Sequence, residues 1–192
     1  MNSSVKTGLV FSLVWIIAKM LFFATGILGE EIVPSVMLNI LCILLAISVG
    51  LYIVKRKQIV TTSLLEDIKN ALKAGMSYAA VVSVFIFFYY SKIDPEFNKH
   101  QISEAKIGIQ KLLDEPEELQ NLRDLNTEFE VMTKQDIYDS MVQGPENFYN
   151  AKSTMILSLL ALLLLATLNS IFVAIIYRKV VFKDAHANLL DE

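Results

Sequence analysis

Residues 154–179 read "TMILSLLALLLLATLNSIFVAIIYRK". No charged residue occurs in this stretch before Arg178, and Leu, Ile, Ala, Val and Phe fill most positions. A helix needs about 20 such residues to cross roughly 30 Å of hydrocarbon. The stretch therefore reads as a transmembrane helix that stops at a basic pair, and it sets the class of the whole chain.

Three further segments meet the same criterion, at 7–28, 34–54 and 72–90, with the fourth at 154–177. The composition agrees. Of 192 residues 54% are hydrophobic and only 19% charged, which is more apolar than a soluble domain of this length. The expected fold class is an all-α membrane protein: four transmembrane helices and an extracytoplasmic helical segment, 91–153, between helices three and four. Residues 1–192 are read as one membrane domain. The formal charge of -3 comes with no basic stripe carrying interleaved aromatics, which sets nucleic acid aside. The single cysteine, Cys42, sits in an apolar run and reads as a small hydrophobe. The first segment is too long for a signal-peptide core and is broken by Lys19, so it reads as an uncleaved span.

Basic clusters orient the spans. Lys55, Arg56 and Lys57 follow the second, Arg178, Lys179 and Lys183 follow the fourth, and Lys6 precedes the first. The turn between the first two spans carries Glu30 and Glu31 and no base. The positive-inside rule then places both termini and the loop between the second and third spans in the cytoplasm. Pro34 suits the first turn of the second span. Ser63-Leu64-Leu65-Glu66 is a capping box, so the third helix starts near Leu64. Glu66, Asp67, Lys69, Asn70 and Lys73 are expected to form its interfacial first turns.

The 91–153 segment is polar but patterned. Asp94-Pro95 is a helix start. Ile102, Ala105, Ile109 and Leu112 recur at helical spacing. Pro116 ends or restarts the helix. Leu119, Leu122, Leu125, Phe129 and Met132 form a second stripe. Thr133 to Asp136 resembles a capping box, and Gly144-Pro145 reads as a stop. Two or three amphipathic helices are expected. The acidic excess disfavours an anionic lipid surface as their partner.

No enzyme signature stands out. His100 and His186 fall on opposite sides of the expected topology, and no metal, thiol, nucleophile-elbow or phosphate-loop motif is present. The reading is no catalytic residues, no cofactor and no metal. The third helix repeats small residues at Ala71, Gly75, Ala79 and Ser83. Such a face lets another helix approach closely, either inside the bundle or across a dimer seam. Ala166, Ser170 and Ala174 repeat the pattern in the fourth span, and Ala46 and Gly50 in the second.

Lys19, Asn39 and Asn169 are the intramembrane polar candidates. Lys19 lies about nine residues, roughly 13 Å, below the outer end of the first span. A central lysine costs about 2.5–3.5 kcal/mol on insertion scales. Either it serves an anion, proton or headgroup site, or it snorkels to Asn39 or to the Glu30/Glu31 turn. Asn169 lies deeper and is less suited to reach it.

"FFYYSKIDPEF" (87–97) carries an aromatic exit into a turn bearing Ile93, Pro95 and Phe97, and the last span ends in "AIIYRK". Together with four spans, a short first outer turn and a basic loop before a capped third helix, these resemble a family of small bacterial membrane proteins, domain of unknown function 4199. The resemblance covers nearly the full chain through architectural motifs. It implies a four-helix inner-membrane protein and supplies no activity, substrate or site residue. Lys19 is not part of the resemblance.

Two functions are compatible with this reading. One is a non-enzymatic accessory protein whose extracytoplasmic segment binds a protein partner. The other is a small transporter or channel centred on Lys19. The expected partners are membrane lipid, a protein on the extracytoplasmic side, or a second copy of the chain.

Overall fold

The computed structural model describes residues 2–26, 32–57 and 63–181. Eight α-helices occur among these: α1 (Ser3–Thr25), α2 (Ile32–Lys57), α3 (Leu64–Phe88), α4 (Pro95–Asp114), α5 (Pro116–Leu125), α6 (Thr127–Glu130), α7 (Lys134–Phe148) and α8 (Ala151–Ile176). π-Helical turns extend α3 through Tyr89–Ile93 and α8 through Tyr177–Val181. There is no strand among the described residues. Four segments, Ser3–Thr25, Val33–Lys57, Leu64–Ile93 and Ala151–Val180, are long and apolar enough to cross a membrane.

The chain divides into two compact units, Met1–Phe85 with Leu157–Glu192, and Ile86–Ile156. In the first, the usual burial pattern is inverted. The buried residues of α1 are Ser4, Thr7, Gly8, Ser12 and Trp15. Apart from Trp15, its large apolar side chains lie exposed or half-buried, with Leu13 55% and Ile17 60% exposed. Leu164 and Phe172 do the same on α8. An apolar exterior suits hydrocarbon, where helices associate through small and weakly polar faces rather than by hiding oil.

Helix α3 is central to this unit. A Cβ added to Gly8 would meet the Ala74 carbonyl oxygen and Ser77 Oγ; one on Gly50 would lie 2.9 Å from Ala74 Cβ. One on Gly75 would lie 2.7 Å from Ala166 Cβ, with Ile47 behind it. Helices α1, α2 and α8 thus all touch α3 at positions where only hydrogen fits. Ile43, Ile47, Leu51, Ala74, Tyr78, Val82 and Ala166 fill the interior. The Trp15 indole N–H donates to the Ser35 carbonyl at 3.2 Å, and its ring meets Phe85 edge-on.

In the second unit α4 and α7 enclose Leu113, Ile137 and Val142. Asp94 caps α4 by accepting from the Phe97 N–H, with Pro95 in the first turn. Thr133 and Asp136 form the reciprocal capping box of α7. Two expectations fail here. Helix α7 does not stop at Gly144-Pro145 but runs to Phe148. A glycine before proline has no Cβ to clash with the proline ring, which relieves the usual restriction. The stripe from Leu119 to Met132 is not one helix. Asn126 adopts extended backbone and caps the single turn of α6, leaving Leu125 85% exposed.

Candidate functional site: an ion cluster at the basic end of the bundle

Asp67 lies in the first turn of α3 and is 1% exposed. Helix α3 begins where Ser63 Oγ accepts from the Glu66 N–H, and the next residue faces inward. There Asp67 Oδ2 meets Lys55 Nζ at 2.8 Å and Arg178 Nε at 3.1 Å. Lys55 comes from the last turn of α2 and has a side chain only 8% exposed; Arg178 follows α8. One carboxylate oxygen therefore holds cations from the ends of two other helices.

The flanking side chains reinforce the junction. Tyr177 begins the π-helical turn after α8, and its hydroxyl donates to the Ser48 carbonyl at 3.1 Å. Its ring packs against Tyr52. A π turn inserts one extra residue, which re-aims the side chains that follow. Here it accompanies Tyr177 reaching α2 while Arg178 reaches α3. Nearby, Lys57 Nζ donates to Ser3 Oγ at 3.3 Å, joining α2 to the start of α1. Asn70 is also buried and accepts from Lys73. Chemically this is a charge-assisted clasp, not an arrangement of nucleophile and base.

The intramembrane candidates are placed as follows. Asn39 Oδ1 accepts from the Tyr78 hydroxyl at 2.8 Å, so its carboxamide ties α2 to α3. Asn169 Nδ2 donates to the Leu165 carbonyl of its own helix at 2.8 Å. Lys19 is half-buried on α1. Helix α1 ends at Thr25 with Gly26 in the left-handed conformation (φ 66°). Six residues, roughly 9 Å, separate Lys19 from that end. The antiparallel contact of Trp15 with Ser35 puts Lys19, four residues further along α1, beside the start of α2. Glu30 and Glu31, its other expected neighbours, lie outside the described residues, as do Lys183 and His186. Ala71, Gly75, Ala79 and Ser83 all face α3's packed side: Ala71 and Ala79 are 0% exposed and Ser83 2%. Cys42 is buried at 3%.

The second unit carries exposed ion pairs. Lys134 Nζ meets Asp114 Oδ1 at 2.6 Å, and Lys106 Nζ meets Glu146 Oε1 at 2.7 Å. The hydrogen bond from Lys134 holds the Asp114 carboxyl below its ordinary range. The bond to Glu146 holds Lys106 above its own. Gln110, Leu113, Lys134, Gln135 and Tyr138 line a shallow open depression beside the first pair. His100 Nδ1 lies 3.8 Å from Glu104 on the same helix. No group of three metal-ligating side chains occurs among the described residues.

The Asp67 cluster escaped the sequence reading, though a signal existed. An acid at the start of α3 is brought by span parity to the same end as two basic clusters. Lys55 and Arg178 were read only as orienting charges.

Residues 6–179 match the profile of a family described as a protein of unknown function, DUF4199, and the chain belongs to that family. No curated protein and no solved structure matches it.

Proposed function

We propose that this family member is a non-enzymatic accessory protein of a bacterial inner membrane. Its bundle anchors it, both termini are cytoplasmic, and the 91–153 segment faces outward to bind a protein partner. The observation that carries the reading is the close packing of the first unit. Gly8, Gly50 and Gly75 leave no room for a methyl group where α1, α2 and α8 meet α3. Asn39 is engaged by Tyr78 rather than directed at a water-filled route. Such a bundle suits an anchor better than a conduit.

The orientation rests on Arg56, Lys57 and Lys179, which are exposed at one end. Lys55 and Arg178 lie at the same end and count with them, since the rule is set by Lys and Arg rather than by net charge.

Replacing 95–148 with a flexible Gly/Ser linker should leave membrane insertion intact and abolish partner capture in a crosslinking pull-down. Unchanged capture would sink the reading. The transport alternative is checked separately in liposomes. Wild type and Lys19→Met should both show the ion and anion flux of empty vesicles. Flux above that level in the wild type, lost in Lys19→Met, would favour a pathway instead.

A further inference from the structure

The second unit has a core of its own, yet two of its apolar side chains stand out as the most exposed of their kind among its described residues. Leu125 is 85% exposed and Val131 88%. Both lie on one tip. Arg123 Nη2 donates to the Met132 carbonyl at 3.3 Å, which closes the excursion between α5 and the approach to α7. Within it, Asn126 caps α6 by accepting from the Glu128 N–H at 3.1 Å. The tip is therefore a hydrogen-bonded feature, and its two apolar residues flank the capped turn.

Its charge is one-sided. Residues 115–131 hold six acids against one base, Arg123. Glu117, Asp124, Glu128 and Glu130 are exposed on α5 and the turn of α6 that carry the apolar pair. Apolar anchors ringed by like charge suit a partner that brings the opposite sign: the anchors supply burial and the rim steers encounter. An anionic membrane surface would be repelled by these acids, and so would the same tip of a second copy.

We infer that the α5–α6 tip is a docking surface for a basic, apolar-centred segment of another protein, with Leu125 and Val131 as anchors and the four acids as its rim. This deepens the accessory reading and rests on it.

The test uses the full chain in its native membrane, with a photo-crosslinking residue at Leu125 or, as a reference within the same unit, at Ile107 on α4, which is 53% exposed. Captured peptides are sequenced by mass spectrometry. The expected result is capture at 125 of a segment with Lys or Arg around an apolar residue. Changing Glu117, Asp124, Glu128 and Glu130 to Gln should lower that yield several-fold. Adducts at 125 to lipid, to a second copy, or to a segment without basic residues overturn the inference, as does a yield indifferent to the four substitutions. Capture at 107 alone overturns the tip while sparing the accessory reading. Capture at neither position removes both.

Discussion

Asp67 is the residue on which three helix ends converge. Removing one member of a buried ion cluster typically costs about 3–5 kcal/mol, because the remaining charge stays desolvated. Arg178 has a side chain 26% exposed and recovers some hydration, so Asp67→Ala should fall near the lower end, about 3 kcal/mol. Thermal unfolding in detergent micelles measures it. Glu66→Ala, one position earlier and exposed, should stay within about 0.5 kcal/mol of wild type. Equal effects at the two positions would remove the clasp from the account. The sequence concealed this residue because its burial is decided by Arg178, 111 positions away. Local pattern assigns a first-turn acid to solvent unless a distant partner claims it. In the second unit the two exposed pairs predict opposite pH limits. Asp114 is depressed by Lys134, so its contribution is present above its ordinary value of 3.8 and is lost as pH falls through the lower folded value. Lys106 is raised by Glu146, so its contribution is present below 10.5 and is lost as pH rises through the higher folded value. Lys134→Ala should return the Asp114 carboxyl to its ordinary range in an NMR titration, and an unmoved titration would break the assignment.

Helix contacts are decided by glycines whose meaning depends on what stands opposite. Gly8 faces backbone atoms of α3, which cannot rotate away. Gly8→Ala should therefore destabilise by about 1–3 kcal/mol, the cost of overpacking, with α1 displaced. Gly108 lies on α4 with nothing within 4 Å of an added Cβ. There Gly108→Ala should stabilise by up to about 1 kcal/mol through helix propensity alone. Melting curves of the two variants should move in opposite directions, and a shared direction would contradict the packing described. The same contrast explains what could be read in advance. Asp94-Pro95 and Thr133 to Asp136 are local hydrogen-bonding devices, and both form as their spacing implied. The small-residue repeat of α3 was visible too, but its neighbours were not. Ala166 and Ile47 meet Gly75 through the geometry of four helices, which no single periodicity encodes. The stripe from Leu119 to Met132 misled for the converse reason. Apolar spacing continued across Asn126 while the backbone there turned out of the helix.

Over the whole molecule, the apolar exterior of α1 and α8 and the polar, tightly capped second unit ask for different solvents. The proposed topology, in which all four membrane-capable helices span, puts both termini on one side and the 91–153 segment on the other. Which side is which rests on the Lys/Arg bias alone, and thiol labelling tests it directly. Cys42 is buried and should be silent to a membrane-impermeant maleimide, which leaves introduced thiols as the reporters. Gly108→Cys occupies open space on α4, and Lys179→Cys sits at an exposed position just beyond α8. In intact spheroplasts the reagent should label Gly108→Cys and spare Lys179→Cys, and detergent should make both reactive. The reverse pattern would invert the topology and place the acidic tip in the cytoplasm. The Asp67 clasp would be untouched by that outcome, since it depends on contacts within the first unit and not on the side it faces.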